Sequence, residues 1–309
     1  MKPIKIGTRG SKLALYQAHH IADLLAEKGL DTEIVIIDTK GDKVLDVAIA
    51  KIGSKGVFTE ELEDQLAAGT IDIAVHSAKD MQSTLPEGFE IIAFTKREKV
   101  NDVIVSHHPQ IDYQNPQIPL VLGTSSTRRT ATLKHYYPHI KTVEIRGNLQ
   151  TRISKMESGI CDALILAYAG VHRMGYDQLI RHELSLNEFI PAVGQGSIAV
   201  EAYKGLDQEV RKKIIGASHH EETGFCLMAE RSYLKVLEGG CSIPVFALAT
   251  MENGRINIKG GIVSLDGKRK IVDQKNGNIG DPGELGQQLA HKVLQSGGLK
   301  ILQEIKNLL

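Results

Sequence analysis

Residues 191–201 read PAVGQGSIAVE, a proline- and glycine-containing turn followed by the apolar stretch 198–201. We predict that 198–201 is a strand that returns to a domain formed by the beginning of the chain. The chain would then cross twice between two domains, and two crossing strands act as a hinge. This stretch therefore predicts a two-lobed fold rather than domains that follow one another along the chain.

On the N-terminal side of this turn, short apolar stretches alternate with amphipathic ones. The predicted strands of the first domain are 4–7, 33–38 and 71–75, and those of the second are 103–106, 120–122, 142–145 and 163–166. A helix begins after Ser11 as N-cap and another covers 59–68, closed by Gly69. Such alternation predicts largely parallel sheets covered by helices. The polar, glycine-rich loop at 42–56 is expected to be poorly ordered.

The predicted fold class is therefore α/β, with two such domains and a small α+β domain after them. At 309 residues the chain is longer than one core usually supports. The predicted domains are 1–96 with 197–216, then 97–196, then 217–309, which opens with a helix at 222–237.

Composition excludes several classes of function. Lys and Arg total 37, as do Asp and Glu, so the bulk attraction needed for non-specific binding of nucleic acid or anionic membranes is missing. The sequence contains no apolar run of membrane-spanning length, no signal-peptide pattern, no GxGxxG motif and no P-loop. The three cysteines form no CxxC pair and the histidine pairs lack ligand spacing, so we predict no metal site and a cytoplasmic protein.

Three segments place arginines directly after predicted strands: 7–11 (GTRGS), 123–129 (GTSSTRR) and 146–152 (RGNLQTR). The amide groups of a helix N-terminus and nearby guanidinium groups together bind carboxylates or phosphates. The alternative for each segment is an N-cap followed by solvated arginines. Because three such segments lie at the carboxyl ends of strands, we favour an anion site.

Two further segments carry reactive groups. Lys79 and Asp80 follow the strand at 71–75, and either take part in binding and proton transfer or form a helix cap beside a surface lysine. Cys241 lies in GGCSIP (239–244), where the flanking glycines favour an accessible thiol over an inert buried one. Cys161 and Cys226 lie in apolar patterns and are expected to be inert.

These segments resemble the porphobilinogen deaminase (hydroxymethylbilane synthase) family over essentially the whole chain. The matching motifs are RGSKLA (9–14), HSAKD (76–80), GTSSTRR (123–129), RGN (146–148), PAVGQG (191–196) and GC (240–241). The resemblance implies three domains, the first two similar to the lobes of solute-binding proteins. It also implies a dipyrromethane cofactor, held through a thioether to Cys241 and assembled from two substrate molecules.

The implied reaction joins four porphobilinogen molecules head to tail, with loss of ammonia from each, to give the linear tetrapyrrole hydroxymethylbilane. By this resemblance Asp80 is the catalytic residue, which contacts pyrrole N–H groups and stabilises the cation left after ammonia departs. The cofactor-binding positions are Cys241, Lys79, Asp80, Thr124, Ser125, Ser126, Arg128, Arg129, Arg146 and Gly147. The substrate-binding positions are Arg9, Ser11, Phe58, Arg146, Arg152, Arg173 and Gln195. The expected protein is a monomer whose partner is the small-molecule substrate, without nucleic acid or membrane.

The chain departs from the family pattern at two places. Gln82 stands where the family usually has proline, and Thr127 stands where an apolar residue is common. Neither change removes a charge from the site. Two other functions stay open at this point: a two-lobed anion-binding module without catalysis, and an acyl transferase with a cysteine nucleophile, which would need a base beside Cys241.

Overall fold

The computed structural model describes residues 2–39, 59–239 and 242–308. The chain divides into two compact units, residues 1–98 with 194–225 and residues 99–193 with 226–309. The loop predicted at 42–56 lies outside the described residues, and the division into three domains stays a prediction.

The elements are numbered along the chain within these ranges. The strands are β1 (Ile4–Thr8), β2 (Thr32–Ile36), β3 (Ile73–Ser77), β4 (Phe89–Phe94), β5 (Asp102–Val105), β6 (Val121–Gly123), β7 (Lys141–Val143), β8 (Ala163–Ala167), β9 (Ile180–Glu183), β10 (Ile198–Tyr203), β11 (Val245–Glu252), β12 (Arg255–Val263) and β13 (Lys270–Asn278). The helices are α1 (Lys12–Ala26), α2 (Glu60–Ala67), α3 (Thr127–Tyr136), α4 (Leu149–Glu157), α5 (Tyr168–Arg173), α6 (Gln208–Ser218), α7 (Glu221–Val236), α8 (Pro282–Val293) and α9 (Leu299–Lys306). Single 3₁₀ turns cover Ala78–Asp80 and Asp177–Leu179.

The first unit contains a five-stranded sheet in the order β2-β1-β3-β10-β4. β1 runs parallel to β2 and β3, whereas β10 runs antiparallel to β3 and β4. The predicted return of 198–201 to the first sheet is therefore confirmed. The apolar side chains of β1 and β3 pack against Ala18, Ile21 and Leu25 of α1, which recur on one face of the helix.

The second unit contains a sheet with the equivalent order, β7-β6-β8-β5-β9. Here β6 is parallel to β7 and β8, and β5 is the antiparallel strand in the fourth place. In both sheets the parallel strands end at the same edge, which is where the polar segments of the sequence begin.

The second unit also contains the antiparallel sheet β11-β12-β13, on which helix α8 packs. Its inner face joins the second five-stranded sheet through a buried cluster of Ala131, Ile190, Phe246 and Val263. The predicted fold class, α/β with a small α+β part at the end, is confirmed. Within the described residues, no helix combines the length and apolar character needed to cross a membrane.

Candidate active site

Lys79 and Asp80 lie in the 3₁₀ turn that follows β3, with Lys79 half-buried and Asp80 exposed. The backbone fixes the start of this turn, because Ala78 N donates to Ser197 O at 3.0 Å. Ser77 accepts a hydrogen bond from Gln17 Nε2 at 2.8 Å, which ties the end of β3 to α1. The carboxylate of Asp80 is thus presented to solvent on a fixed backbone.

The Lys79–Asp80 turn also packs closely against Gly194, which lies in the segment that returns to the first unit. Gly194 has φ +76°, and a Cβ there would lie 2.8 Å from the carbonyl carbon of Ala78. Only glycine combines that backbone conformation with so close an approach. The next residue, Gln195, is buried, and its carbonyl accepts a hydrogen bond from Arg97 Nε at 2.8 Å. The predicted role of Gln195 in binding substrate stays a prediction.

Arg9 and Ser11 lie between β1 and α1. Ser11 caps α1 by accepting a hydrogen bond from Ala14 N at 3.3 Å, as its position in the sequence predicts. Arg9 is half-buried immediately before this cap. The structure thus places both residues at the carboxyl end of β1, on the edge of the sheet where β3 also ends.

A buried ionisable group lies beneath the Lys79–Asp80 turn. His76 Nε2 of β3 is 3.0 Å from Glu201 Oε2 of β10, with side chains 5% and 0% exposed. Glu63 of α2 is also buried. Burial raises the pKa of Glu63, a hydrogen bond from Thr59 lowers it, and the charge of Glu201 raises it further. Sequence reasoning missed this group, although an acid inside the apolar stretch 198–201 is a signal that could have revealed it.

In the second unit, the segment 123–129 forms the N-terminus of α3. Ser126 is the N-cap and accepts a hydrogen bond from Arg129 N at 3.4 Å. Thr124 is buried and accepts from Ser126 N at 3.2 Å, whereas Ser125 and Ser126 are half-buried. The N-cap predicted as the alternative is therefore found at Ser126.

The two arginines of α3 are not solvated. Arg128 Nη2 lies 2.7 Å from Asp102 Oδ2, and Arg129 Nη2 lies 2.7 Å from Asp102 Oδ1. Each guanidinium also donates to a backbone carbonyl at 3.0 Å, Arg128 to Ile190 and Arg129 to Ile165. Two guanidinium groups on one carboxylate leave a net positive charge in a nearly dry environment. Burial lowers the pKa of Arg128, and the charge of Asp102 acts in the opposite direction.

The segment 146–152 is more exposed. Arg146 Nε donates to Glu144 Oε1 at 2.6 Å, and Arg152 Nε donates to the carbonyl of Gly147 at 2.7 Å. Asn148 caps α4 by accepting from Thr151 N at 2.9 Å. Arg173 is half-buried at the end of α5. Arg146 is thus held beside an exposed carboxylate, and Arg152 is held by a backbone carbonyl.

Two predicted site residues, Cys241 and Phe58, lie outside the described residues. The other two cysteines, Cys161 and Cys226, are buried, and burial raises the pKa of Cys161. A thiol with a raised pKa is a poor nucleophile at neutral pH. Cys161 therefore fits the expectation that it is inert, and Cys226 fits it through its burial.

Two family models match the chain. The model described as porphobilinogen deaminase, dipyromethane cofactor binding domain, matches residues 4–212, and the C-terminal domain model of the same family matches residues 224–295. The chain belongs to the porphobilinogen deaminase family. The first match contains the Lys79–Asp80 turn and the arginines of α3, and the second contains Cys241.

Curated relatives match over nearly the full length of the chain. Porphobilinogen deaminase of Desulfosudis oleivorans is 54% identical over 303 residues, which cover 98% of each chain. That of Cytophaga hutchinsonii is 56% identical over 305 residues, covering 99% of this chain and 97% of the relative. Among solved structures, the chain is similar to the periplasmic VFT2 domain of Bordetella pertussis BvgS, with 16% identity, a TM-score of 0.43 and coverage of 69% and 85%.

Membership in the porphobilinogen deaminase family decides between the functions that the sequence left open. The relatives carry the name of an enzyme that acts on porphobilinogen, which favours catalysis over an anion-binding module. An acyl transferase is not supported, because the cysteine-bearing part matches the C-terminal domain of this family.

Proposed function

We propose that the chain polymerises four porphobilinogen molecules into hydroxymethylbilane, with release of ammonia, on a dipyrromethane cofactor attached by a thioether to Cys241. The observation that carries this proposal is the Lys79–Asp80 turn, fixed at the carboxyl end of β3 in a chain that both family models match. The family polymerises porphobilinogen in tetrapyrrole biosynthesis. On the same resemblance, we propose that the protein acts as a monomer in the cytoplasm.

The described residues fit a ligand that carries many carboxylates. Arg128, Arg129 and Asp102 together hold a net positive charge, and Arg128 Nε is a buried donor with no hydrogen-bond partner among the residues described. The Ser125 and Ser126 hydroxyl groups lie at the N-terminus of the same helix, where the backbone dipole favours anions. This arrangement supports the binding of acetate and propionate side chains by the second unit.

The role proposed for each residue is the one that the family resemblance implies, and it suits the chemistry of the side chain. When bound, the cofactor supplies the pyrrole α-carbon from which the product chain grows. Arg128, Arg129 and Arg146 bind carboxylates, and Arg9, Arg152 and Arg173 do the same for incoming substrate. Guanidinium groups bind carboxylates in a bidentate manner, which fixes the orientation of these anions as well as their position.

Lys79 and Asp80 act at the reacting ring. The ammonium group of Lys79 binds a carboxylate, and the carboxylate of Asp80 accepts hydrogen bonds from pyrrole N–H groups. As ammonia leaves, positive charge develops on the pyrrole, and a fixed carboxylate stabilises it more in the transition state than before. The hydrogen bond from Ala78 N to Ser197 O fixes the start of the turn, which limits how far this carboxylate reorganises during the reaction.

Replacement of Asp80 tests this proposal. Asp80→Ala is expected to lower kcat on the order of a hundredfold or more, since removal of one preorganised charge-stabilising group has effects of that size. Intact-protein mass spectrometry should still show the covalent group. As a matched control, Asp72→Ala removes a carboxylate that accepts from Lys5 N at 2.7 Å near the start of β3, and should keep kcat. Normal formation of hydroxymethylbilane by Asp80→Ala would contradict the assigned role.

A further inference from the structure

The side chain of Gln82 connects the segment after the Lys79–Asp80 turn to the start of α2. Gln82 Nε2 donates to Thr59 Oγ1 at 3.1 Å and lies 3.4 Å from Glu63 Oε1. Both acceptors are buried, and Gln82 itself is half-buried. One amide group therefore joins a solvent-facing segment to two polar groups in the interior of the first unit.

The two ends of the turn are restrained in different ways. Its start is held by the backbone bond from Ala78 to Ser197 and by contact with Gly194. At its end, Met81 N donates to Ala78 O at 3.4 Å, a long hydrogen bond that contributes little restraint. Because Asp80 lies between these ends, its position depends on what holds residues 81 and 82.

The acceptors of Gln82 belong to the buried ionisable group. The titratable residues around Glu63 are Asp64 on the same helix, His76 on β3 and Glu201 on β10. A neutral amide donates to Thr59 and Glu63 without adding charge to this group. A carboxylate at position 82 would instead repel Glu63 whenever both are ionised.

The backbone shows why the family residue at this position can be replaced. Proline fixes its own φ and favours extended backbone in the residue before it. Met81 adopts φ −72° and ψ 140°, which is that extended conformation. A hydrogen-bonded glutamine thus restrains the same stretch of chain that a proline ring would restrain.

We propose that Gln82 is a positioning residue for the reaction, whose side-chain amide holds the Asp80 turn through Thr59 and Glu63. The proposal rests on the proposed function, since it assigns Gln82 an effect on the chemistry performed at Asp80. Gln82 touches no reacting atom in this account and acts through the placement of Asp80.

The first test uses the full-length enzyme carrying Gln82→Met, which keeps the side-chain length but removes the hydrogen bonds to Thr59 and Glu63. We expect kcat to fall on the order of tenfold, because displacing a reacting group by a fraction of an ångström already slows catalysis. The covalent mass should stay unchanged, and KM should change less than kcat, because Lys79 is the one proposed carboxylate-binding residue that shares the turn with Asp80. Gln65→Met is the matched control on α2, where Gln65 Oε1 accepts from the Thr70 hydroxyl at 2.5 Å on the exposed surface, and it should keep the parent kcat.

The outcomes separate the two proposals. A parent enzyme that forms no hydroxymethylbilane would overturn the proposed function. An active parent with an unchanged kcat in Gln82→Met would overturn the role of Gln82. Gln82→Pro is a second variant for the case in which Gln82→Met folds poorly. Because the proline ring restrains the same stretch of backbone, this variant should retain a higher kcat than Gln82→Met. A lower kcat than that of Gln82→Met would contradict the idea that glutamine and proline restrain the turn equivalently.

The pH profile of Gln82→Glu distinguishes positioning from general destabilisation. At low pH the new carboxyl group of this variant is protonated and can donate to Thr59 or Glu63, so kcat should approach that of the parent. As pH rises, the two carboxylates ionise and repel, and the ratio of variant to parent kcat should fall. A ratio that does not change with pH would overturn the proposed contact with Glu63.

Discussion

The two five-stranded sheets have equivalent strand orders, yet they pair a buried carboxylate with different partners. Each carries that carboxylate on its antiparallel fourth strand, Glu201 on β10 and Asp102 on β5. Glu201 faces one imidazole, that of His76, whereas Asp102 faces the guanidinium groups of Arg128 and Arg129. The first unit thus places one imidazole beside its buried carboxylate, and the second places two guanidinium groups there, which together exceed the charge of Asp102.

This difference fits the proposed work of each unit. A fixed positive charge suits the binding of carboxylates, which need the same cations at every step. The first unit presents the carboxylate of Asp80, and the His76–Glu201 pair lies beneath the turn that carries it. Removing one member of each buried pair tests this difference between the units.

Removal of Asp102 should have the largest effect on stability. Asp102→Ala leaves two buried guanidinium groups without their carboxylate, and breaking a buried ion pair costs about 3–5 kcal/mol. The free energy of unfolding from urea titration measures this cost. Asp177→Asn, which removes an exposed pair with His172, is the control and should change stability by about 1 kcal/mol or less. Equal losses of unfolding free energy in the two variants would show that the buried Asp102 does not stabilise the fold.

Removal of His76 should cost less. His76→Leu leaves Glu201 buried without its imidazole partner, a loss on the order of 1–3 kcal/mol. Urea titrations of the parent and the variant measure this loss, and a loss as large as that of Asp102→Ala would remove the contrast between the units.

A further effect, visible in how stability changes with pH, is expected at Lys270, a cation of the second unit that can lose its proton. Its Nζ donates to Glu188 O at 2.8 Å and to Tyr136 Oη at 3.0 Å. Burial lowers its pKa to about 8 from 10.5. Between these values the unfolded chain holds a proton that the folded chain has lost, so stability contributed by this group rises with pH in that window.

Lys270→Met should remove this rise and leave the curve of stability against pH flatter between 8 and 10.5. The parent and variant are compared by urea titration at fixed ionic strength across this range. Identical slopes in the two proteins would show that Lys270 is not the titrating group.

The sequence predicts the strands whose ends carry the candidate site residues, but it does not predict the buried pairs of Glu201 and Asp102. Strands with continuous apolar runs, such as β3 and β8, were recognisable because both faces are buried. β4 and β9 were not predicted, although β2 and β7, the other two edge strands, were. For β9 (IRHE) the reason is its composition, because three of its four residues are polar.

The arginines of α3 show the same limit of prediction from sequence. Their order after Ser126 predicts a cap and nearby cations, and the cap is found. Their partner, Asp102, lies on another strand far away in sequence, and only the pairing of β5 with β8 brings it into contact. A tertiary contact of this kind leaves no local signal, which is why Arg128 and Arg129 read as solvated or ligand-binding side chains.

The most direct test of the account is the intact mass of the purified protein before and after a brief incubation with porphobilinogen. The parent should carry the mass of two pyrrole units beyond its sequence and then gain further units stepwise, while Cys241→Ser should show the bare sequence mass and no gain. Cys226→Ser should behave as the parent. A parent protein at the bare sequence mass, or a Cys241→Ser variant that still acquires pyrrole units, would contradict the covalent anchor at Cys241.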